Sequence, residues 1–238
     1  MSHSFFRPLF AAVLLAAITT SSYGVSLPPM PGATSGLGMP GNGMIHAEVA
    51  VQSNVVTAIL RDGPSGGAQP NTRLTAMVGG TYDAPYDVLN GQQFNAQYGW
   101  LEDQTIGFGA IDIPLTEFIW LEVANVIGPG TVSIYQGGTG MEMMMPGHSM
   151  DPILGTEGSP SAWMWDDDFA MQHNWHVFSA LGDYDVDYRV YVGDALGNAI
   201  SGYTDGAVTF QFTAVPEPAT ASVLLSLAGL LAMGRRRR

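Results

Sequence analysis

Asp183-Tyr184-Asp185-Val186-Asp187-Tyr188-Arg189-Val190-Tyr191-Val192 is the stretch that decides the fold. Tyr184, Val186, Tyr188, Val190 and Val192 fall on one side of an extended chain, and Asp183, Asp185 and Asp187 on the other. Alternation of period two, sustained this long and rich in Val and Tyr, predicts a β-strand. The aspartates read as the solvent side of a half-buried strand.

The same pattern continues outward. Gly197-Asn198 marks a turn, and residues 208–212 supply a last strand. Upstream, residues 118–126 form a β-branched and aromatic run closed by Gly128-Pro129-Gly130, and residues 131–135 resume the alternation with Val132 and Ile134 on one side. Near the start, Ile45, Ala47, Val49 and Val51 alternate with His46, Glu48 and Ala50. Between these segments we find neither a helical period nor an internal repeat. Short strands divided by Gly, Pro, Asn and Asp predict an all-β fold, a single antiparallel β-sandwich domain over residues 44–213. Residues 25–43, which hold Pro28, Pro29, Pro31 and Pro40 among Gly, Ser and Met, read as a flexible linker.

The chain of 238 residues has no Cys, which excludes disulfides and thiol-ligated metal. It has no Lys either, and of its eight basic residues, all Arg, five sit at the ends: Arg7 and Arg235 to Arg238. The body keeps Arg61, Arg73 and Arg189 against every acidic residue except Glu217. A domain this acidic repels phosphate backbones, so nucleic acid is excluded as a partner.

Both ends read as addresses. Arg7, the apolar run 9–18 and then Ser21, Ser22 and Gly24 give the charged, apolar, small-residue order of a secretory signal peptide over residues 1–24, removed by signal peptidase. Residues 214–238 contain Val215-Pro216-Glu217-Pro218, an uncharged segment 219–233, Gly234 and the four terminal Arg. The uncharged segment predicts a short hydrophobic helix below the roughly 20 residues of a comfortable membrane span, so it suits transient rather than permanent insertion. The arginines would remain on the cytoplasmic side.

This tail resembles the PEP-CTERM sorting signal of Gram-negative bacteria: Val215, Pro216, Glu217 and Pro218 match its motif, the segment after them its helix, and Arg235, Arg236, Arg237 and Arg238 its basic end. The resemblance implies recognition by an exosortase-type membrane enzyme, transient anchoring in the inner membrane, and display at the cell surface or in an exopolysaccharide matrix. The body, over roughly residues 43–212, resembles the choice-of-anchor M domain. Ile45-His46-Ala47-Glu48 echoes that family's Gly-His-x-Asp opening, and Gly128-Pro129-Gly130 through Tyr135 its middle landmark. His173-Asn174-Trp175 through Phe178, followed by Leu181-Gly182, Tyr184 and Val186, resembles its late segment. Met171 stands where the family's His-x-His has its first histidine, Leu181 replaces its turn proline, and either one residue is inserted after Trp175 or His176 stands where the family has a tryptophan. The resemblance implies an extracellular, non-catalytic domain, and the family's association with transporters resembling manganese and zinc importers implies metal handling.

Outside the leader the chain has four histidines, His46, His148, His173 and His176. Imidazole is the commonest transition-metal ligand, and carboxylates complete such sites. His46 and Glu48 share a strand face, whereas the spacing of His173 and His176 suits a loop or turn. One reading is a site for Zn or another transition metal built on His46 and His173, with Glu48 and His176 or His148 completing it; the other is ordinary polar residues of loops and surface. Met141, Met143, Met144, Met145, His148 and Met150 form a second cluster, either a copper-binding set or a flexible apolar loop. Asp166, Asp167 and Asp168 lack the spacing of a calcium loop. No catalytic motif occurs. Trp100, Trp120, Trp163, Trp165 and Trp175 are candidates for sugar stacking or for the core. Three functions follow as alternatives: a structural surface component, a metal-binding surface or periplasmic protein tied to a metal importer, and a carbohydrate-binding module.

Overall fold

The computed structural model describes residues 45–62, 67–68, 73–78, 81–84, 86–107, 109–136, 150, 152–155, 161–165 and 171–216. Leader, linker, the hydrophobic segment and Glu217, Pro218 and Arg235 to Arg238 lie outside them, as do His148, Asp166 to Asp168 and the methionine cluster except Met150. Among the described residues no helix is long and apolar enough to cross a membrane.

The described chain is all-β apart from a single 3₁₀ turn at Tyr86–Leu89. Its strands are β1 (Ile45–Gln52), β2 (Val55–Asp62), β3 (Arg73–Val78), β4 (Gln93–Asn95), β5 (Tyr98–Glu102), β6 (Phe118–Ile127), β7 (Val132–Tyr135), β8 (Pro152–Gly155), β9 (Ala162–Trp165), β10 (Gln172–His173), β11 (Trp175–Phe178), β12 (Gly182–Gly193) and β13 (Gly206–Ala214). They form a four-stranded sheet in the order β10-β5-β1-β2 and a nine-stranded sheet in the order β8-β7-β11-β4-β3-β13-β12-β6-β9. Ser53 and Asn54, at φ 51° and 63°, make the two-residue turn between β1 and β2. Two successive positive φ values are those of the turn whose twist matches a hairpin.

The sheets are mixed, not purely antiparallel: β1 runs parallel to β5, and β13 parallel to β3. Alternation fixes which face of a strand is buried. It says nothing of the direction of the neighbouring strand, so the sequence left this undetermined.

The two sheets pack in a sandwich-like way on one aromatic cluster. Tyr98 of β5 stacks on Phe210 of β13 with ring centroids 4.3 Å apart, and Trp100 meets both Phe210 and Tyr188. Tyr184, Val186, Tyr188, Val190 and Val192 all enter this core, as the alternation of β12 requires. The opposite face of β12 carries a cross-strand network: Asp183 accepts from Thr213, Asp185 from Arg73 and Asp187 from Thr209. A smaller cluster of Tyr82, Tyr86, Leu89, Phe94 and Trp175 packs separately. The Tyr184 hydroxyl donates back to Ala180 O at 2.9 Å, and its ring covers Gly128, where a side chain would collide with it.

One corner of the sandwich organises the rest. The chain passes from β4 in the large sheet to β5 in the small one across Ala96-Gln97, and from β10 back to β11 across Asn174. Because β4 pairs with β11 and β5 with β10, two adjacent strands change sheets side by side. A bend of this kind interrupts both ladders, and the stranded backbone groups need other partners. An amide side chain supplies them. Asn95 Oδ1 accepts from Gln97 N at 2.8 Å while its Nδ2 donates to Thr75 O.

Candidate metal centre

His46 on β1 and His173 on β10 are each in register with Gly99 of β5, the strand between them. Side chains of residues in register across a sheet share a face, so both imidazoles stand on the same side of the small sheet. It is the side away from the aromatic core, since their neighbours Ile45, Ala47, Tyr98 and Trp100 all enter that core. Even so, His46 and His173 are 0% and 3% exposed.

Gly99 makes the pair possible. A Cβ there would lie 2.6 Å from Cε1 and Nε2 of His173, so the ring occupies the space that any other residue would fill. Across this gap the two Nε2 atoms approach to 3.2 Å, with the rings at 74°. The sulfur of Met171 lies 3.1 Å from His46 Nε2.

The protonation states follow from the partners. Ala96 O lies 3.0 Å from His173 Nδ1, and a carbonyl only accepts, so Nδ1 carries the proton and Nε2 presents a lone pair. Burial lowers the pKa of His46 to about 4. Burial, then the neighbouring His46, lowers that of His173 to about 4 as well. Both rings are therefore neutral at physiological pH. His46 Nδ1 is buried with no hydrogen-bond partner among the described residues. Either one proton on His46 Nε2 bridges to His173, or a cation takes the lone pairs of both.

The arrangement fits a transition-metal ion on three counts. Two nitrogens each about 2.0–2.1 Å from one ion stand roughly 3.3–3.6 Å apart at tetrahedral to trigonal angles, close to the gap seen here. A histidine ligand commonly donates its other N–H to a carbonyl, as His173 does to Ala96. Neutral imidazole is also the ligating form.

The other residues singled out by the sequence go elsewhere. Glu48 follows His46 on the same face of β1, but its Oε2 lies 3.1 Å from Nε of Arg61, and it hydrogen-bonds Asp103. Burial pushes Asp103 up, yet hydrogen bonds from Thr105, the charge of Arg61 and the bond with Glu48 together hold its carboxyl below the usual range. His173 and His176 do not share a loop: they lie on β10 and β11, in different sheets, on either side of the corner. His176 is fully buried in the main core against Phe210 and Phe212. Its Nδ1 donates to Asn174 O at 3.2 Å, and its Nε2 accepts from the Tyr188 hydroxyl at 2.7 Å. Burial lowers its pKa to about 3. It is a satisfied core histidine, so neither it nor Glu48 completes the pair. Among the described residues no three His, Asp or Glu side chains gather as a metal site.

Gly99 was missed by the sequence reading, and Met171 entered it only as a departure from a family histidine, not as a neighbour of His46. The signals were present: a glycine breaking the aromatic run Tyr98-Gly99-Trp100, and a methionine two residues from His173, the spacing of one strand face. Among the tryptophans, Trp100, Trp165 and Trp175 are buried, and Trp120 donates to Asp194 O and packs on Gly193. Val215 N donates to Ala76 O, which carries the β13 pairing to the start of the tail motif.

No protein-family model, no curated protein and no solved structure matches this chain. The two resemblances drawn from the sequence rest on their own motifs.

Proposed function

We propose that this chain is an exported, non-catalytic surface protein whose β domain binds a transition-metal ion between His46 and His173. The observation that carries the reading is the convergence of two buried, neutral imidazoles on one point across Gly99. Two Nε2 atoms facing each other at 3.2 Å can share only one proton, whereas a bound ion takes the lone pairs of both. The export part rests on the leader and tail motifs of the sequence. A role in supplying a metal importer, or in holding metal at a polysaccharide-coated surface, agrees with both parts.

The test is metal analysis of the purified full chain after equilibration with Zn2+, Mn2+ and Cu+ in turn. The expected result is one equivalent of a transition metal that is lost in the His46→Gln, His173→Gln double variant, with far-UV circular dichroism unchanged. A wild-type chain that retains none of the three, or a double variant that retains as much, overturns the proposal.

A further inference from the structure

We infer that the ion held at this site is monovalent copper, with Met171 as the third ligand; this rests on the metal-binding reading above. The geometry supplies two imidazole nitrogens and one thioether sulfur, with Met171 Sδ and His173 Nε2 at 3.1 and 3.2 Å from the same atom, His46 Nε2. All three donors are uncharged. The nearest carboxylate on the same strand face, Glu48, is engaged by Arg61 and Asp103, so it brings no negative charge to the ion.

That donor set discriminates among metals. Thioether sulfur is a soft ligand and selects Cu(I), whereas Ca2+, Mg2+ and Mn2+ prefer carboxylate and carbonyl oxygen. Structural zinc sites are almost always four-coordinate, and two imidazoles with one thioether fall short of that set. Charge acts in the same direction. The cost of bringing an ion out of water rises with the square of its charge, and an uncharged buried site returns no compensating attraction. A divalent ion therefore suffers far more than Cu(I) from the burial of His46 and His173. Cu(II) favours tetragonal nitrogen and oxygen sites, and among the described residues no Asp or Glu gathers with the two histidines to supply one.

The absence of Cys makes the experiment clean, because no thiol competes for copper. The full chain is titrated anaerobically with Cu(I) against a chromophoric Cu(I) chelator, with Ag(I) as a redox-inert probe and Zn2+ as the divalent comparison. Cu(I) and Ag(I) should bind more tightly than Zn2+. Met171→Leu, of similar volume, should weaken Cu(I) by about tenfold or more, the loss that follows from removing even a supporting partner of a metal ligand. Met171→His should shift preference toward Zn2+. Replacing Met141, Met143, Met144 and Met145 together by Leu should leave the Cu(I) affinity in place. Tighter Zn2+ binding, an unchanged Cu(I) affinity in Met171→Leu, or loss of Cu(I) only in the four-methionine variant overturns the copper assignment. If metal binding still depends on His46 and His173 in those cases, the broader reading stands. If no metal binds at all, both fall.

Discussion

The imidazole of His173 fills the volume that a Cβ on Gly99 would occupy, with Cε1 and Nε2 both 2.6 Å from that point. The approach of His173 to His46 therefore depends on a missing side chain on the strand between them. Gly99→Ala should force the two rings apart and cost about 1–3 kcal/mol, the usual penalty of overpacking. Thermal unfolding reads the stability loss, and metal titration reads the site. An alanine variant that binds metal as tightly as wild type would contradict the role assigned to Gly99.

A second expectation concerns acid. An unfolded histidine titrates near 6.5, whereas His176 in the folded chain titrates near 3, so between those values the unfolded chain holds the extra proton. Stability is full above pH 6.5 and falls as pH falls through that window, by at most about 1.4 kcal/mol per pH unit per histidine. His46 and His173, both near 4, act in the same direction. Two titratable groups bear on His176: Tyr188, whose hydroxyl burial holds well above its ordinary pKa so that it stays neutral throughout, and His173, whose charge once protonated lowers His176 further. Urea unfolding of the metal-free chain from pH 8 to pH 4 should give a flat segment and then a decline, shallower in His176→Gln. A flat profile down to pH 4 would refute it.

Glu48 and Arg61 provide a third. The Glu48 side chain is fully buried and that of Arg61 is 17% exposed. Arg61→Met leaves the Glu48–Asp103 pair, which shares one proton and one negative charge, without its counter-ion and should cost about 3–5 kcal/mol. Metal stoichiometry should not change in Glu48→Gln, because Glu48 belongs to the Arg61 and Asp103 cluster. Loss of metal in that single variant would return Glu48 to the ligand set.

The tail gives a fourth. If residues 215–238 are a processed sorting signal, removing Arg235 to Arg238 should leave a larger, membrane-held form in the producing bacterium. Intact-mass measurement and membrane fractionation distinguish it from the matured chain. Wild-type protein recovered at the surface with the whole tail attached would sink the processing step.

Much of the fold was legible in the residues. The Tyr-Val alternation of β12 placed five side chains in the core correctly, and Gly128-Pro129-Gly130 and Gly197-Asn198 fell at real chain reversals. Parallel pairing of β1 with β5 was not legible, because period two is the same for either direction. The site was legible only in its two histidines, which the sequence suggested as neighbours. Their separation of 127 residues is closed by strand order, which no local pattern encodes. His176 was misread as part of a loop because a single residue, Asn174, moves the chain from one sheet to the other. After that step His176 faces Tyr188 and the core instead of His46.

The position of β13 has a mechanical consequence. It lies between β12 and β3, hydrogen-bonded along its length to the first and over Gln211 to Ala214 to the second, and Val215 adds one more bond at its exit. A pull transmitted through Val215 runs along the axis of β13 and loads these bonds together in shear. They cannot open one at a time as in a peeled hairpin. The point where the chain leaves the sheets is thus held by two neighbouring strands at once.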